Sequence, residues 1–272
     1  MTTPEMNLSA SFHYITFPSL HETPFIIAAR LRIPSHIEGK MPAVILLHGS
    51  AGPSAREGGY ADALNAAGFV TLEPDLWAAR GLVGGAGGRP KSVHETLPDL
   101  YGARAFLAAH PQVDAARIGV AGFSFGGVTA MLAATRRHND VFLPDGAFRA
   151  IMPVYPSAWI FNCVPGFEFG NLVDTPLLLV TGALDQYDND PEISAKLVAA
   201  LDESDRAKIR IEVMAEAHHG FDMPGVDVEV SDPFGNQGKG GRVIMRYNPA
   251  ATEKAYRNAV AFFTAAMADD KA

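Results

Sequence analysis

Six short, unbroken apolar runs follow Pro42, and segments with helical spacing of apolar residues lie among them. Runs of this length without alternation are typical of strands that are buried on both faces of a parallel sheet. Parallel strands need crossover connections, so helices are expected on both faces of the sheet. We therefore predict an α/β fold with a mostly parallel, doubly wound sheet. The predicted strands are 43–47, 68–73, 117–121, 149–154, 176–181 and 208–214, and the predicted helices are 57–67, 99–109, 126–136, 191–203 and 250–267.

The residues before Pro42 follow a different pattern. Apolar and polar residues alternate near 8–16 and 24–33, which is typical of half-buried strands, and we expect these strands to form an antiparallel pair. A chain of 272 residues can bury a sizeable core without disulfides, and no linker-like segment divides it. We therefore predict a single domain over residues 1–272.

The charge of the chain limits its partners. It has 22 Lys and Arg against 30 Asp and Glu, a formal net charge of −8, and no run of basic residues. Nucleic acid and anionic membranes are therefore excluded as expected partners, and a homodimer is left open. The apolar runs are too short to span a bilayer, residues 1–17 lack the features of a signal peptide, and Cys163 is the only cysteine. We expect a cytoplasmic protein in which Cys163 is a small buried residue.

The pentapeptide Gly122-Phe-Ser-Phe-Gly126 places Ser124 between a predicted strand and a predicted helix. A G-x-S-x-G pattern at a strand–helix turn is typical of an exposed, nucleophilic serine. The glycines let the backbone pass where a Cβ would clash, and the N-terminus of the following helix favours developing negative charge. An inert serine in a tight turn is the alternative. We predict that Ser124 is a nucleophile.

A serine hydroxyl needs an oriented base, and in this arrangement an acid and then a histidine are expected later in the chain. Asp185 follows the predicted strand 176–181, and His219 follows the predicted strand 208–214. Because the carboxyl ends of parallel strands lie at one edge of the sheet, both side chains are expected near Ser124. We predict that these three residues are catalytic.

Neighbouring residues could take the same roles. Asp188 is the rival acid, whereas Asp190 is better interpreted as a helix cap. His218 is adjacent to His219, but the His-Gly-Phe sequence that follows favours the second histidine. His48 ends an early predicted strand and is expected to be structural.

The loop after the predicted strand 43–47 contains two glycines that allow backbone N–H groups to turn inward. We expect the amide of Ser50, or that of Ala51, to form an oxyanion hole together with the amide of Phe125, the residue after the predicted nucleophile. Such a pair of donors stabilises the negative charge that develops on a tetrahedral intermediate.

Two long segments lack helical or strand periodicity. Residues 81–92 are rich in glycine, but no G-K-[ST] follows, so we expect a mobile active-site loop rather than a phosphate-binding loop. Residues 222–247 are longer than an ordinary connection, and we expect an irregular insertion that forms a flap or lid. The acidic residues of 185–190 do not match an EF-hand, and the chain has neither H-E-x-x-H nor a Cys/His cluster. We therefore expect no metal and no cofactor.

Taken together, these motifs resemble those of the α/β-hydrolase superfamily and, within it, the dienelactone hydrolase family. The similar segments are HGSAG, GFVTLEPDLWAARG, RIGVAGFSFGG, VTGALDQYDNDP, AHHGFD and NPAATEKAYRNAVAFF, and the resemblance extends over most of residues 42–267. It implies the α/β-hydrolase fold and an esterase or lactonase in which Ser124, Asp185 and His219 form a triad. The chain differs from the best-known members, which have a cysteine as nucleophile.

The resemblance also implies where a substrate binds. Family members bind a substrate carboxylate through an arginine, and Arg80 lies near the corresponding place; an arginine tied to a neighbouring carboxylate of the chain is the alternative. Trp77 and Tyr155 are candidate walls for an apolar acyl group, unless they merely pack. We expect hydrolysis of a small carboxylic ester or lactone. A thioesterase, peptidase or deacetylase on the same triad and a non-catalytic ligand-binding protein are the alternatives.

Overall fold

An eight-stranded sheet runs through the computed structural model of the protein, which describes residues 10–35 and 37–268. Its strands are β1 (Ala10–Pro18), β2 (Ile26–Pro34), β3 (Met41–Leu47), β4 (Val70–Asp75), β5 (Val113–Phe123), β6 (Ile151–Val154), β7 (Leu177–Gly182) and β8 (Ile209–Met214). They lie in the order β1-β2-β4-β3-β5-β6-β7-β8. From β4 onwards in this order all neighbours are parallel, whereas β2 is antiparallel to β1 and β4. The predicted fold class is confirmed.

Alternate side chains of β3 enter two different hydrophobic cores. Ala43, Ile45 and Leu47 belong to one core, and Val44 and Leu46 belong to the other, on the opposite face of the sheet. Both faces are therefore buried, which explains why the apolar run has no alternation. The expectation of burial on both faces is wrong for β8, whose residues are mostly half-buried or exposed, because an edge strand has a neighbour on one side only.

Helices cover both faces of the sheet. They are α1 (Ala55–Ala66), α2 (Leu97–Ala109), α3 (Phe125–Ala133), α4 (Arg136–Phe142), α5 (Ile193–Ala199), α6 (Glu203–Arg206), α7 (Gly235–Gly238) and α8 (Pro249–Ala266), with 3₁₀ turns at Ala78–Arg80, Val93–Thr96 and Ala158–Ile160. Residues of α1 and α8 join the core of Val44, and residues of α2 and α3 join the core of Ile45. The predicted helix 126–136 ends at Ala133. The predicted helix 191–203 is shorter than expected, because α5 ends at Ala199 and α6 begins only at Glu203.

Residues 222–247 contain a β-hairpin rather than an irregular insertion. Strand β9 (Asp227–Ser231) pairs in antiparallel orientation with β10 (Arg242–Arg246), and α7 lies in the connection between them. Asn236 and Gln237 have positive φ values of 54° and 58°, so α7 is a left-handed turn. The expectation of an irregular segment is wrong. Each strand is too short to show a clear period in the sequence, and the regular structure comes from the pairing of β9 with β10. Residues 81–92 contain neither helix nor strand, as predicted.

Cys163 is exposed, so the expectation that it is buried is wrong. It lies in a surface turn after the 3₁₀ turn Ala158–Ile160, outside both cores. Over 10–35 and 37–268, no helix has both the length and the apolar character needed to cross a bilayer. Residues 8 and 9 of the first predicted strand lie outside the described residues. The single domain over 1–272 stays a prediction.

Candidate active site

Ser124 occupies a sharp turn between β5 and α3. Its φ of 53° and ψ of −111° lie outside the regions that non-glycine residues usually adopt, so its backbone is strained. A Cβ on Gly122 would lie 2.1 Å from the carbonyl oxygen of Gly126, and a Cβ on Gly126 would lie 2.4 Å from that of Leu47. Both positions therefore require glycine, which explains the G-x-S-x-G pattern.

A chain of hydrogen bonds joins Ser124 to residues that follow two other strands. The Oγ atom of Ser124 lies 2.8 Å from Nε2 of His219, whose Nδ1 lies 2.7 Å from Oδ2 of Asp185. The backbone N–H of Tyr187 donates to the other carboxylate oxygen of Asp185 at 2.8 Å. Asp185 is 5% exposed and His219 is 2% exposed, so water has little access to their contact. The structure thus brings together the three residues that the sequence predicts for catalysis.

The rival acid and the rival histidine lie outside this chain of bonds. Asp188 is buried and accepts a hydrogen bond from the backbone N–H of Trp159 at 3.0 Å. Burial, together with the nearby charge of Asp185, raises the pKa of Asp188 to about 7. The Nδ1 atom of His218 is buried and has no hydrogen-bond partner among the described residues. Neither residue contacts Ser124 or replaces a member of the hydrogen-bonded chain.

His48 and Asp190 have other contacts. Nδ1 of His48 lies 2.8 Å from the carbonyl oxygen of Gly49, and the backbone N–H of Leu76 donates to Nε2 at 3.1 Å. His48 therefore joins two loops at the ends of β3 and β4. Asp190 accepts a hydrogen bond from the Lys196 ammonium at 2.6 Å. Its other carboxylate oxygen accepts a hydrogen bond from the backbone N–H of Glu192 at 2.9 Å, so Asp190 caps the turn that leads into α5, as predicted.

The amides of Ser50 and Phe125 are available to a ligand. Neither donates a hydrogen bond within the described part of the chain, and the same holds for Ala51. Phe125 is the first residue of α3, so its N–H also lies at the positive end of the helix dipole. The carbonyl of Ser50 accepts hydrogen bonds from Nε1 of Trp77 at 3.2 Å and from the amide of Gly85 at 2.8 Å. These bonds hold the loop in place.

Trp77 and Tyr155 lie behind the site rather than along its walls. Trp77 is 2% exposed, and its ring meets that of Phe125 edge-on at 5.2 Å between centroids. Tyr155 is fully buried, with its ring 4.7 Å from that of His219. Neither lines a described cavity at Ser124. The expectation that they form the walls for an acyl group is therefore wrong, since each packs against a residue of the site.

A buried polar network lies beneath the imidazole. The hydroxyl groups of Tyr60, at 2.8 Å, and of Tyr155 donate to the two carboxylate oxygens of Asp222. Arg56 donates to the Tyr155 hydroxyl at 3.2 Å and forms an ion pair with Glu57 at 2.6 Å. All five residues are at most 3% exposed, and burial raises the pKa of Asp222. Sequence reasoning missed this network, because its members come from distant parts of the chain.

Arg80 is held by groups of the chain itself. Its Nη1 lies 2.8 Å from Oδ2 of the fully buried Asp99. The guanidinium also donates to the carbonyl oxygens of Leu76 at 3.0 Å and Glu95 at 2.9 Å, and it lies 4.3 Å from the ring centroid of Phe25. It lines neither cavity at the serine. The structure therefore has the alternative arrangement, an arginine tied to a carboxylate of the chain, and not the expected substrate contact.

Arg89 lies where the sequence analysis expected Arg80. Its guanidinium is 4.2 Å from the ring centroid of Phe234 and 5.5 Å from that of Phe125. Within 10–35 and 37–268 it has no hydrogen bond or ion pair, and burial lowers its pKa. The sequence signal was its position in 81–92, the segment that was already predicted to lie at the site.

Two cavities of about 250 Å³ each meet at Ser124. We name the first the aromatic chamber, because its walls include Phe125, Trp159, Phe167 and Phe234. We name the second the histidine-side chamber, because its walls include His219, Met223, Val230, Ser231 and Met245. Ser50, Ser124 and Tyr187 line both chambers.

The hairpin of β9 and β10 covers the histidine-side chamber. Met245 forms a β-bridge with His219. The Tyr187 hydroxyl donates to Asp232 at 2.7 Å, and the amide of Gln237 donates to the carbonyl oxygen of Tyr187 at 2.9 Å. The hairpin within 222–247 therefore lies over the site, and movement of this segment as a flap stays a prediction.

Comparisons with known proteins agree with this architecture. The model of the dienelactone hydrolase family matches residues 27–267. A dienelactone hydrolase from Anabaena variabilis is 19% identical over 94% of this chain and 98% of its own, with a TM-score of 0.60. P91, a dienelactone hydrolase-like promiscuous phosphotriesterase from metagenomic libraries, is 16% identical over 94% and 98%, with a TM-score of 0.66. Est1E from Butyrivibrio proteoclasticus is 15% identical over 93% and 99%, with a TM-score of 0.60. No curated protein matches the sequence.

Proposed function

Because the chain belongs to the dienelactone hydrolase family, we propose that it hydrolyses small carboxylic esters or lactones through an acyl-enzyme on Ser124. The observation that carries this proposal is the hydrogen-bonded chain of Ser124, His219 and Asp185, with the serine at a strained elbow. A nucleophile, a base and a carboxylate that orients the base are the parts that acyl transfer to serine requires.

The proposed reaction begins when Oγ of Ser124 attacks the carbonyl carbon and Nε2 of His219 accepts its proton. Nε2 can accept the proton when the proton of the neutral imidazole is on Nδ1, where it is donated to Asp185 at 2.7 Å. The carboxylate of Asp185 then stabilises the imidazolium. The alcohol oxygen takes the proton from Nε2 as its bond to the acyl carbon breaks.

The second half of the reaction repeats these steps with water. His219 removes a proton from a water molecule, which attacks the acyl-enzyme, and then returns the proton to Ser124 as the acid leaves. The negative oxygen of each tetrahedral intermediate accepts hydrogen bonds from the amides of Ser50 and Phe125. Removal of one such donor typically costs about 3–4 kcal/mol of transition-state stabilisation. Water is the second reactant, and the proposed cycle uses no cofactor.

The role of the buried network beneath the imidazole is to hold its ring. The ring of His219 packs in tilted geometry against those of Tyr155 and Tyr187, at 4.7 Å and 4.2 Å between ring centroids. Hydrogen bonds from Arg56 and to Asp222 hold the first tyrosine in place. A ring held by two such neighbours keeps Nε2 directed at Ser124, and small errors in such alignment reduce rates strongly.

The direct test is the hydrolysis of p-nitrophenyl acetate, phenyl acetate and a small lactone, measured with the wild type and Ser124→Ala. Ser204→Ala is the matched control, because Ser204 is exposed on α6. We expect the wild type and the control to hydrolyse the esters and to react with a fluorescent phosphonate, and Ser124→Ala to lose both activities. Equal hydrolysis by wild type and Ser124→Ala contradicts the proposal. A cytoplasmic location and a homodimer remain predictions for separate measurement.

A further inference from the structure

The two chambers at Ser124 differ in one respect that the proposed reaction makes important. His219 lines the histidine-side chamber but not the aromatic chamber. Ser50 and Ser124 line both, so the nucleophile and one expected oxyanion donor lie where the chambers meet. A carbonyl group that reacts with Ser124 therefore has one chamber on each side.

The stereochemistry of acyl transfer distinguishes the two sides. The tetrahedral carbon carries Oγ of Ser124, the oxyanion, the leaving alcohol oxygen and the acyl carbon. The leaving oxygen must lie within hydrogen-bond reach of Nε2 of His219 to receive its proton. The alcohol part therefore extends into the chamber that contains His219, and the acyl part extends into the opposite chamber.

On this basis, and resting on the proposed function, we propose that the aromatic chamber binds the acyl part of the substrate and the histidine-side chamber binds the alcohol part. The substrate class is then an open-chain ester of a bulky apolar acid, such as an arylalkanoic acid, with a separate alcohol group. In a compact lactone the acyl and alcohol parts share one small ring, which cannot extend into both chambers.

The walls of the aromatic chamber fit a bulky apolar acyl group. Besides five aromatic rings, that of Tyr187 among them, they include Val128, Ile160 and Val164. Rings at such walls contribute apolar area and edge contacts to another ring. Each cavity, at about 250 Å³, is below the roughly 300–1,000 Å³ typical of drug-sized ligands. The size suits one part of an ester in each chamber.

The histidine-side chamber has a different composition. Met223, Val230 and Met245 provide flexible or aliphatic surface, and the exposed Ser231 provides a hydroxyl group. Methionine side chains adapt their shape to varied groups. Three of these wall residues belong to the hairpin strands β9 and β10, so the hairpin, and not the sheet, limits the alcohol.

The experiment uses four esters that combine two acids with two alcohols: methyl and benzyl esters of acetic and 3-phenylpropanoic acid. Val164→Trp fills part of the aromatic chamber, and Val230→Trp fills part of the histidine-side chamber. The matched controls are Val141→Trp and Val228→Trp, at valines that are 70% and 46% exposed and line neither chamber. Val228 also lies on β9, so it controls for a tryptophan in the hairpin.

Two ratios of kcat/KM are measured for each variant: phenylpropanoate over acetate at constant alcohol, and benzyl over methyl at constant acid. We expect Val164→Trp to lower the first ratio by about tenfold or more and Val230→Trp to lower the second by a similar factor, because pocket contacts discriminate on this scale. Each variant moves the other ratio by less than about threefold. If a tryptophan variant does not fold, Val164→Ala and Val230→Ala replace it, and each raises the same ratio.

The opposite assignment, with Val164 variants changing the benzyl over methyl ratio, overturns the inference, as does an equal change of both ratios. A wild-type preference of about tenfold or more for dihydrocoumarin, a compact lactone, over the best open-chain ester also overturns it. These outcomes leave Ser124-dependent turnover intact. Failure of the proposed function is different, because the wild type would then show no Ser124-dependent turnover of any ester.

Discussion

Ser124, Asp185 and His219 each lie within a few residues of the end of a strand, whereas Arg89 and Phe234 lie on segments outside the eight-stranded sheet. The first region, which we call the strand-end region, continues downward into fully buried tyrosine and carboxylate groups. The second, which we call the covering region, consists of 81–92 and 223–247. Both regions meet at the serine, but different forces hold them.

In the strand-end region the important contacts are buried and charged. Arg56, Glu57 and Asp222 are at most 3% exposed, so each charge depends on its partners. In the covering region the important contacts are hydrogen bonds from the backbone amides of Asn236 and Gln237 to the loop after β7, together with the ring contacts of Arg89. We therefore expect substitutions in the first region to reduce rate or stability, and substitutions in the second to change which ester is preferred.

The largest expected effect separates two aspartates of the strand-end region. Asp185→Asn removes the charge that orients and stabilises His219, and we expect kcat for p-nitrophenyl acetate to fall by about 10⁴-fold, as in other serine triads. Asp188→Asn is the matched control, with a decrease of less than about tenfold, because Asp188 accepts its hydrogen bond from Trp159 instead. Equal losses in the two variants would show that the triad assignment is incorrect.

A second test concerns the network beneath the imidazole. Arg56→Met leaves Glu57 and Asp222 without their buried cation, and we expect the free energy of unfolding to fall by about 3–5 kcal/mol. Arg257→Met is the control, since Arg257 pairs with Glu253 on the surface of α8 and contributes about 0.5 kcal/mol or less. Urea denaturation followed by circular dichroism measures both. A similar small loss in both variants would remove the energetic distinction between the two regions.

A third test follows from the buried carboxylate beside Arg80. Burial, opposed by the charges of Arg80 and His21, raises the pKa of Asp99 from 3.8 to about 6. The folded chain therefore holds a proton that the unfolded chain has already lost. The contribution to stability is fully present below about pH 3.8 and is lost as the pH rises through about 6, up to about 3 kcal/mol.

Asp99→Asn removes this pH-dependent contribution. We expect the unfolding free energy of the wild type, relative to that of Asp99→Asn, to decrease between pH 4 and pH 7, as measured by urea titration at a series of pH values. If the two pH dependences are parallel, Asp99 does not carry a raised pKa in the folded protein.

The smallest expected effect compares the two arginines. Arg89 has no hydrogen-bond or ion-pair partner among the described residues and lines the aromatic chamber. Arg89→Gln should therefore lower the kcat/KM ratio of a carboxylate-bearing acyl ester over its neutral isostere by about tenfold. Arg80→Gln should leave this ratio within about twofold, because Arg80 is bound to Asp99. The opposite result would restore the substrate role that the sequence suggested for Arg80.

The hydrogen-bonded arrangement of Ser124, His219 and Asp185 could be predicted because its causes are local or periodic. Gly122 and Gly126 are required because a Cβ at either position would lie 2.1–2.4 Å from a backbone oxygen. This requirement can be recognised from five consecutive residues of the sequence. Asp185 and His219 follow recognisable apolar runs, and parallel strands bring their carboxyl ends to one edge of the sheet. The sequence by itself therefore determined the fold class and the order of serine, acid and histidine.

Only the tertiary structure decided how the covering region is arranged. The sequence pointed to Arg80 as the arginine that binds substrate, but in the structure Arg80 is tied to Asp99, whereas Arg89 lies against Phe234. The difference between the two arginines depends on where Asp99 and Phe234 lie in space. Trp77 and Tyr155 pack behind the site, and a hairpin lies over it, because partners distant in the chain hold them there. The physical reason is that backbone requirements and the periodic spacing of buried residues depend on residues close together in the sequence. Side-chain partners, in contrast, are groups that meet only after the chain has folded.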